Sequence, residues 1–126
     1  MKSHAAVAAV LLQQEADAAG VQDYRAADLV ECVLQDLETA PLPEKERALL
    51  RFVDMVNSHS PEITAAAMQP LYSAGWTDDA IYYAITVCAL FNFYNRWVDA
   101  SGVPALSDEA HRQGGERSAS TGYVRK

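Results

Sequence analysis

The segment from Thr77 to Gly102 constrains the fold more than any other part of this chain. It opens with Thr77, Asp78 and Asp79, a capping hydroxyl followed by acidic residues in a first helical turn, and closes with Gly102 and Pro104, which stop a helix. Between these marks Ile81, Tyr82, Tyr83, Ile85, Val87, Cys88, Leu90, Phe91, Phe93, Tyr94, Trp97 and Val98 cover every face. A helix that is apolar all round is expected to be buried, at the centre of a domain or in an oligomer interface. The longest apolar run, Ala80 to Phe91, falls short of the roughly 20 residues that a membrane span needs. It then meets Asn92, Asn95 and Arg96, so the pattern points away from a membrane.

Four more helices are expected upstream. The first runs from Ala5 to Ala19 with a short stripe of Val7, Val10 and Leu11, and ends at Gly20. A second spans about Asp23 to Thr39, where Ala26, Leu29, Val30, Val33, Leu34 and Leu37 recur at i, i+3, i+4 and i+7. A third starts at Pro43, with Glu44 and Glu46 complementing the dipole, and runs to about Ser58, burying Leu49, Phe52, Val53 and Val56. After a loop at Ser58–Pro61, Thr64 is placed to cap a short fourth helix that Pro70 shortens or kinks and Gly75 ends. The polar, Gly-rich residues 105–126 read as an irregular tail, part of the same domain or of an oligomer. The expected architecture is all-α: about five helices in one compact domain over residues 1–104, then the tail.

A length of 126 residues suits a single core, and a chain half hydrophobic and about a fifth charged is globular rather than disordered. The net charge of -7 argues against nucleic acid, which draws affinity from clustered Lys and Arg. Arg112, Arg117, Arg125 and Lys126 are scattered and read as a solvated end. The opening residues carry no cleavage-site pattern, so no signal peptide is expected and the cytoplasm is the default compartment. Two cysteines far apart make no disulfide framework.

Little of this points to chemistry directly. His4, His59 and His111 stand apart without metal-ligand spacing, and no Gly-rich loop follows a strand, so neither a metal nor a cofactor is expected. Acidic pairs such as Asp78 with Asp79 are explained as helix starts. Cys88 lies among large apolar residues, where a thiol behaves as a small inert hydrophobe. Cys32 is more exposed by helical phase but sits mid-helix, away from the N-terminal dipole that favours a thiolate, and reads as an inert or interface thiol. Asn92, Asn95 and Arg96 have two readings: a polar clamp tying the long helix to its neighbours or to another subunit, or the lining of a ligand pocket.

Taken as one string, Gly75-Trp76-Thr77-Asp78-Asp79-Ala80-Ile81, then Phe91-Asn92-Phe93-Tyr94-Asn95-Arg96 and Gly102-Val103, resembles the C-terminal signature of peroxidase-related proteins of the alkylhydroperoxidase-D-like (carboxymuconolactone decarboxylase) family. Leu42 to Phe52 and Pro61 to Thr64 look like that family's preceding segment, so the resemblance covers His4 to Val103. It implies an all-helical homo-oligomer, a trimer or hexamer, that reduces hydroperoxides with a C-x-x-C-x-x-x-H motif. A cysteine near a helix N-terminus is held as thiolate, attacks the peroxide oxygen, and is resolved by the second cysteine as a disulfide while the histidine relays protons. Only His4 matches that motif here; the resolving cysteine would sit four residues earlier, just before Met1. The resemblance therefore implies a thiol-dependent oxidoreductase whose catalytic cysteines lie upstream. The rival is a non-catalytic helical assembly or binding domain of the same fold. A decarboxylase or isomerase of the non-thiol branch would need a base in a pocket, and the sequence names none.

Overall fold

A computed structural model describes residues 2–122, the side chains of residues 2–4 and 6 excepted. Six α-helices follow one another: α1 (Lys2–Ala18), α2 (Ala26–Gln35), α3 (Glu44–His59), α4 (Ala65–Ser73), α5 (Asp78–Ala100) and α6 (Asp108–Thr121), with a 3₁₀ turn at Ser60–Glu62 after α3. The chain is all-α, with no strand among the described residues. It divides into two compact units. One is formed by Met1–Pro41 with Pro104–Lys126 and holds α1, α2 and α6; the other, Leu42–Val103, holds α3, α4 and α5.

In the 42–103 unit, α3 packs against α4 and α5 around Ala48, Phe52, Leu71 and Ile81. Leu49, Val56, Ile63, Met68, Trp76 and Ile85 close over this core as partly buried neighbours. Phe52 is thus the buried member of the stripe expected for the third helix, with Leu49, Val53 and Val56 half-buried beside it. The corner between α4 and α5 is fixed by its backbone. Gly75 adopts φ +84°, the Trp76 N–H donates to the Leu71 carbonyl at 3.0 Å and the Gly75 N–H to the Tyr72 carbonyl at 2.9 Å. That pair of bonds ends a helix in a left-handed residue, where a side chain would be strained. Two residues on, the Thr77 hydroxyl accepts from the Ala80 N–H at 3.3 Å and starts α5. Thr64 occupies the N-cap of α4 but makes no side-chain capping bond there.

Of the two places expected for the long helix, the centre of a domain or an oligomer interface, the single chain does not provide the first on every side. Of its apolar residues only Ile81 and Cys88 are buried within the chain, whereas Tyr83 is 73% and Trp97 62% exposed. Its core face follows the 3–4 spacing of Ile81, Ile85, Cys88 and Asn92, with Ala84 and Val87 half-buried beside it, whereas Leu90 and the aromatic residues of the helix are exposed.

In the other unit α1 packs against both α2 and α6, and Val7, Ala26 and Ala40 are buried. Arg25 at the N-cap of α2 makes no side-chain capping bond; instead Gln13 Oε1 from α1 accepts the Ala26 N–H at 3.1 Å. One orphan donor of α2 is thus satisfied from a neighbouring helix. At its far end α2 stops at Gln35 rather than near Thr39. Asp36 is extended there, and its carboxylate accepts from the Glu38 N–H at 3.0 Å and the Thr39 hydroxyl at 2.8 Å, a local turn that outcompetes the helix.

Residues 108–121, expected within an irregular tail, form α6 instead. The Ser107 hydroxyl accepts from the Ala110 N–H at 3.2 Å, Asp108 and Glu109 occupy the first turn, and Arg112 bridges Glu109 and Glu116 at i−3 and i+4. A cap, acidic residues on the positive pole and an ion-paired face hold the helix despite Gly114 and Gly115. Gly115 is buried on it. Among the described residues no helix is long and apolar enough to cross a membrane.

Candidate functional site

The polar residues singled out on α5 belong to one small network. Asn92 Nδ2 donates to Asn57 Oδ1 on α3 at 2.8 Å and to the Cys88 carbonyl at 3.1 Å, with a weaker contact to Cys88 Sγ at 3.7 Å. Arg96 Nη1 donates to Asn92 Oδ1 at 2.6 Å and to the Asn92 carbonyl at 3.1 Å. The amide thus donates across to α3 with one end while its oxygen takes a charge-assisted bond at the other, which fixes both its rotamer and the Arg96 side chain. Asn92 is half-buried, and Asn57 and Arg96 are exposed. This arrangement is a clamp between α3 and α5. Asn95, one helical position before Arg96, is exposed and outside these bonds.

Asn57 was not singled out in the sequence, although it lies four residues after Val53, and Val53 faces the same part of α5. The Val53 carbonyl accepts the Cys88 thiol at 3.8 Å. Cys88 is buried, so its two polar neighbours are a backbone carbonyl and the Asn92 amide. Neither group is a base able to take its proton. Cys32 is exposed on α2, four residues ahead of the turn at Asp36 and away from the helix start. The two thiols lie in different units, Cys32 in the first and Cys88 in the second.

His4 falls in the first turns of α1, and its side chain lies outside the described residues. His59 ends α3 and is exposed; His111 is half-buried in α6. Among the described residues no group of three or more His, Cys, Asp or Glu converges as a metal site would require.

A second polar junction sits at the base of the α4–α5 corner. Trp76 Nε1 donates to the Lys45 carbonyl at 2.8 Å, and the Lys45 ammonium lies 4.7 Å from the centroid of the same ring. Backbone and side chain of one residue thus hold one indole, by hydrogen bond and by cation–π attraction. Beside it, the Tyr72 hydroxyl donates to Asp78 Oδ1 at 2.8 Å, and this bond, followed by desolvation and the Asp78 charge, raises the phenol above its ordinary pKa. These contacts tie the first turns of α3 and α5 to the end of α4. No family model, curated protein sequence or solved structure matches this chain.

Proposed function

We propose that this chain is the helical, assembly-forming part of a peroxidase-related, alkylhydroperoxidase-D-like oxidoreductase. In this reading it works as a cytoplasmic homo-oligomer, a trimer or hexamer, on a hydroperoxide or another small molecule. Its redox cysteine pair comes from sequence preceding residue 1, with His4 as the proton relay. The observation that supports it best is the order of elements from Gly75 to Val103: a left-handed turn at Gly75, the Thr77 cap, and a long helix carrying the Asn92 and Arg96 clamp, with Gly102 at φ +73° after it. That is the stretch on which the family resemblance rests.

The second reading, a non-catalytic assembly or binding domain of the same fold, is favoured by the thiols. Cys88 is buried on a carbonyl and Cys32 is exposed in mid-helix, so neither has the activating base or helix start that a peroxidatic cysteine uses.

Hydroperoxide consumption with a dithiol reductant separates the two. Residues 1–126 should show no turnover, and a chain extended at its N-terminus by its natural upstream sequence should turn over in a His4-dependent way. Turnover by residues 1–126 that disappears in Cys32→Ser or Cys88→Ser would overturn the placement of the cysteines. An inactive extended chain would leave the assembly domain as the function.

A further inference from the structure

The side of α5 turned away from its own core carries a second, regular apolar seam. Tyr83, Thr86, Leu90, Phe93 and Trp97 recur at spacings of three, four, three and four, the a/d repeat by which one helix packs along another. Tyr82 and Tyr94 flank this seam, and at about 100° per residue all seven fall in an arc of about 120°. That arc lies opposite the core seam of Ile81, Ile85, Cys88 and Asn92. Except for Thr86, each of the seven is a large apolar or aromatic residue exposed in the isolated chain. The single charged residue between Tyr82 and Trp97 is Arg96, and its side chain is bonded to Asn92 on the other side of the helix.

Exposed aromatic surface of this extent is unusual on a helix that works alone. From the exposed fractions of these side chains, the seam and its flanks offer roughly 700 Å² of accessible surface, close to what one partner contributes to a standard stable interface. Between Tyr83 and Trp97 it runs about 21 Å along the helix axis. We infer that this seam seats α5 of a second copy of the same chain. An uncharged, aromatic, heptad-spaced stripe matches itself, whereas a partner of opposite charge would find nothing on it to pair with. The seam gives the oligomer proposed above its contact surface, and it stands apart from the peroxidase chemistry.

In a two-fold pair centred on Leu90, parallel or antiparallel, the two Leu90 side chains meet. The test therefore uses the full chain in a Cys32→Ser background, with Leu90→Cys on the seam and Leu34→Cys on α2 as the exposed control. Mild oxidation should couple the Leu90→Cys chains into an interchain disulfide and leave the control largely uncoupled. In parallel, Phe93→Glu and Trp97→Glu, both at exposed positions, should keep the helical circular dichroism and weaken self-association at least about tenfold each in sedimentation. A wild-type chain that is monomeric at micromolar concentration would overturn the seam, as would an oligomer whose mass survives both glutamate variants. Hydroperoxide turnover by the extended chain is read separately, so its absence leaves the seam standing and its presence in a monomer removes the seam alone.

Discussion

At the corner where α4 gives way to α5, one phenol reports on the whole junction. Tyr72 donates to Asp78, and the bond exists while the phenol keeps its proton, so the folded-state pKa is raised, chiefly by that hydrogen bond. A raised folded pKa means that the contribution is fully present below the ordinary phenol value and is lost as pH rises through the raised one. What the phenol's bond adds to the corner should therefore be lost in alkali. The phenolate absorbance difference between wild type and Tyr72→Phe gives the Tyr72 titration, and Asp78→Asn should move its midpoint down towards an ordinary tyrosine. An unmoved midpoint would mean that the bond to Asp78 does not form in solution. Glu109 behaves in the opposite sense: Arg112 and Gln113 hydrogen-bond its carboxylate and lower its pKa, so what it adds to α6 is present near neutrality and fades as pH falls. Asn92 shows what a residue-scale reading of the sequence reaches. That it must be hydrogen-bonded follows from its place in an apolar helix; that Asn57 is the partner does not, because the register between α3 and α5 is a tertiary property.

At the scale of elements, legibility followed the strength of local signals. Thr77, Asp78 and Gly75 mark the ends of α4 and α5 in the sequence, and the backbone has those ends at the same places, because caps and left-handed turns are decided within a few residues. The end of α2 was not legible, since its apolar stripe runs on through Leu37 while the Asp36 carboxylate captures the chain into a turn first. The sixth helix was hidden for a different reason. Its residues carry no apolar stripe, and its stability comes from a cap, the ion pairs of Arg112 with Glu109 and Glu116, and packing on α1, the last a tertiary contact that no local signal announces. The two glycines remain its weakness. A Cβ built at Gly114 meets nothing within 4 Å and the residue is helical, so Gly114→Ala should stabilise the protein by about 0.5–1 kcal/mol. Urea denaturation followed by circular dichroism measures this, and a loss of stability would show that α6 is not helical at that position in solution.

At the scale of the whole chain, the two units differ in how they are built. The 42–103 unit is continuous in sequence and has a core of its own, whereas the other joins the first 41 residues to the last 23, so that α6 can pack on α1 only after the intervening chain has been made. Contacts so distant in sequence carry a loop-closure cost that the local corner of α4 and α5 does not. The sequence hinted at neither arrangement, because Pro41 and Pro104, where the units divide, read equally well as ordinary helix boundaries. The chain supplies probes that tell the units apart. Its two tryptophans, Trp76 and Trp97, both lie in the 42–103 unit, while the far-ultraviolet dichroism sums helices from both. Phe52 is 3% exposed in the core of that unit, and truncating such a side chain costs about 3–5 kcal/mol. Phe52→Ala should then shift the fluorescence-detected transition to markedly lower denaturant, with part of the dichroism change lagging behind it because α1, α2 and α6 keep their own packing. Coincident fluorescence and dichroism curves in the variant would mean that the chain melts as one cooperative block, since coincidence of independent probes is the mark of a two-state transition.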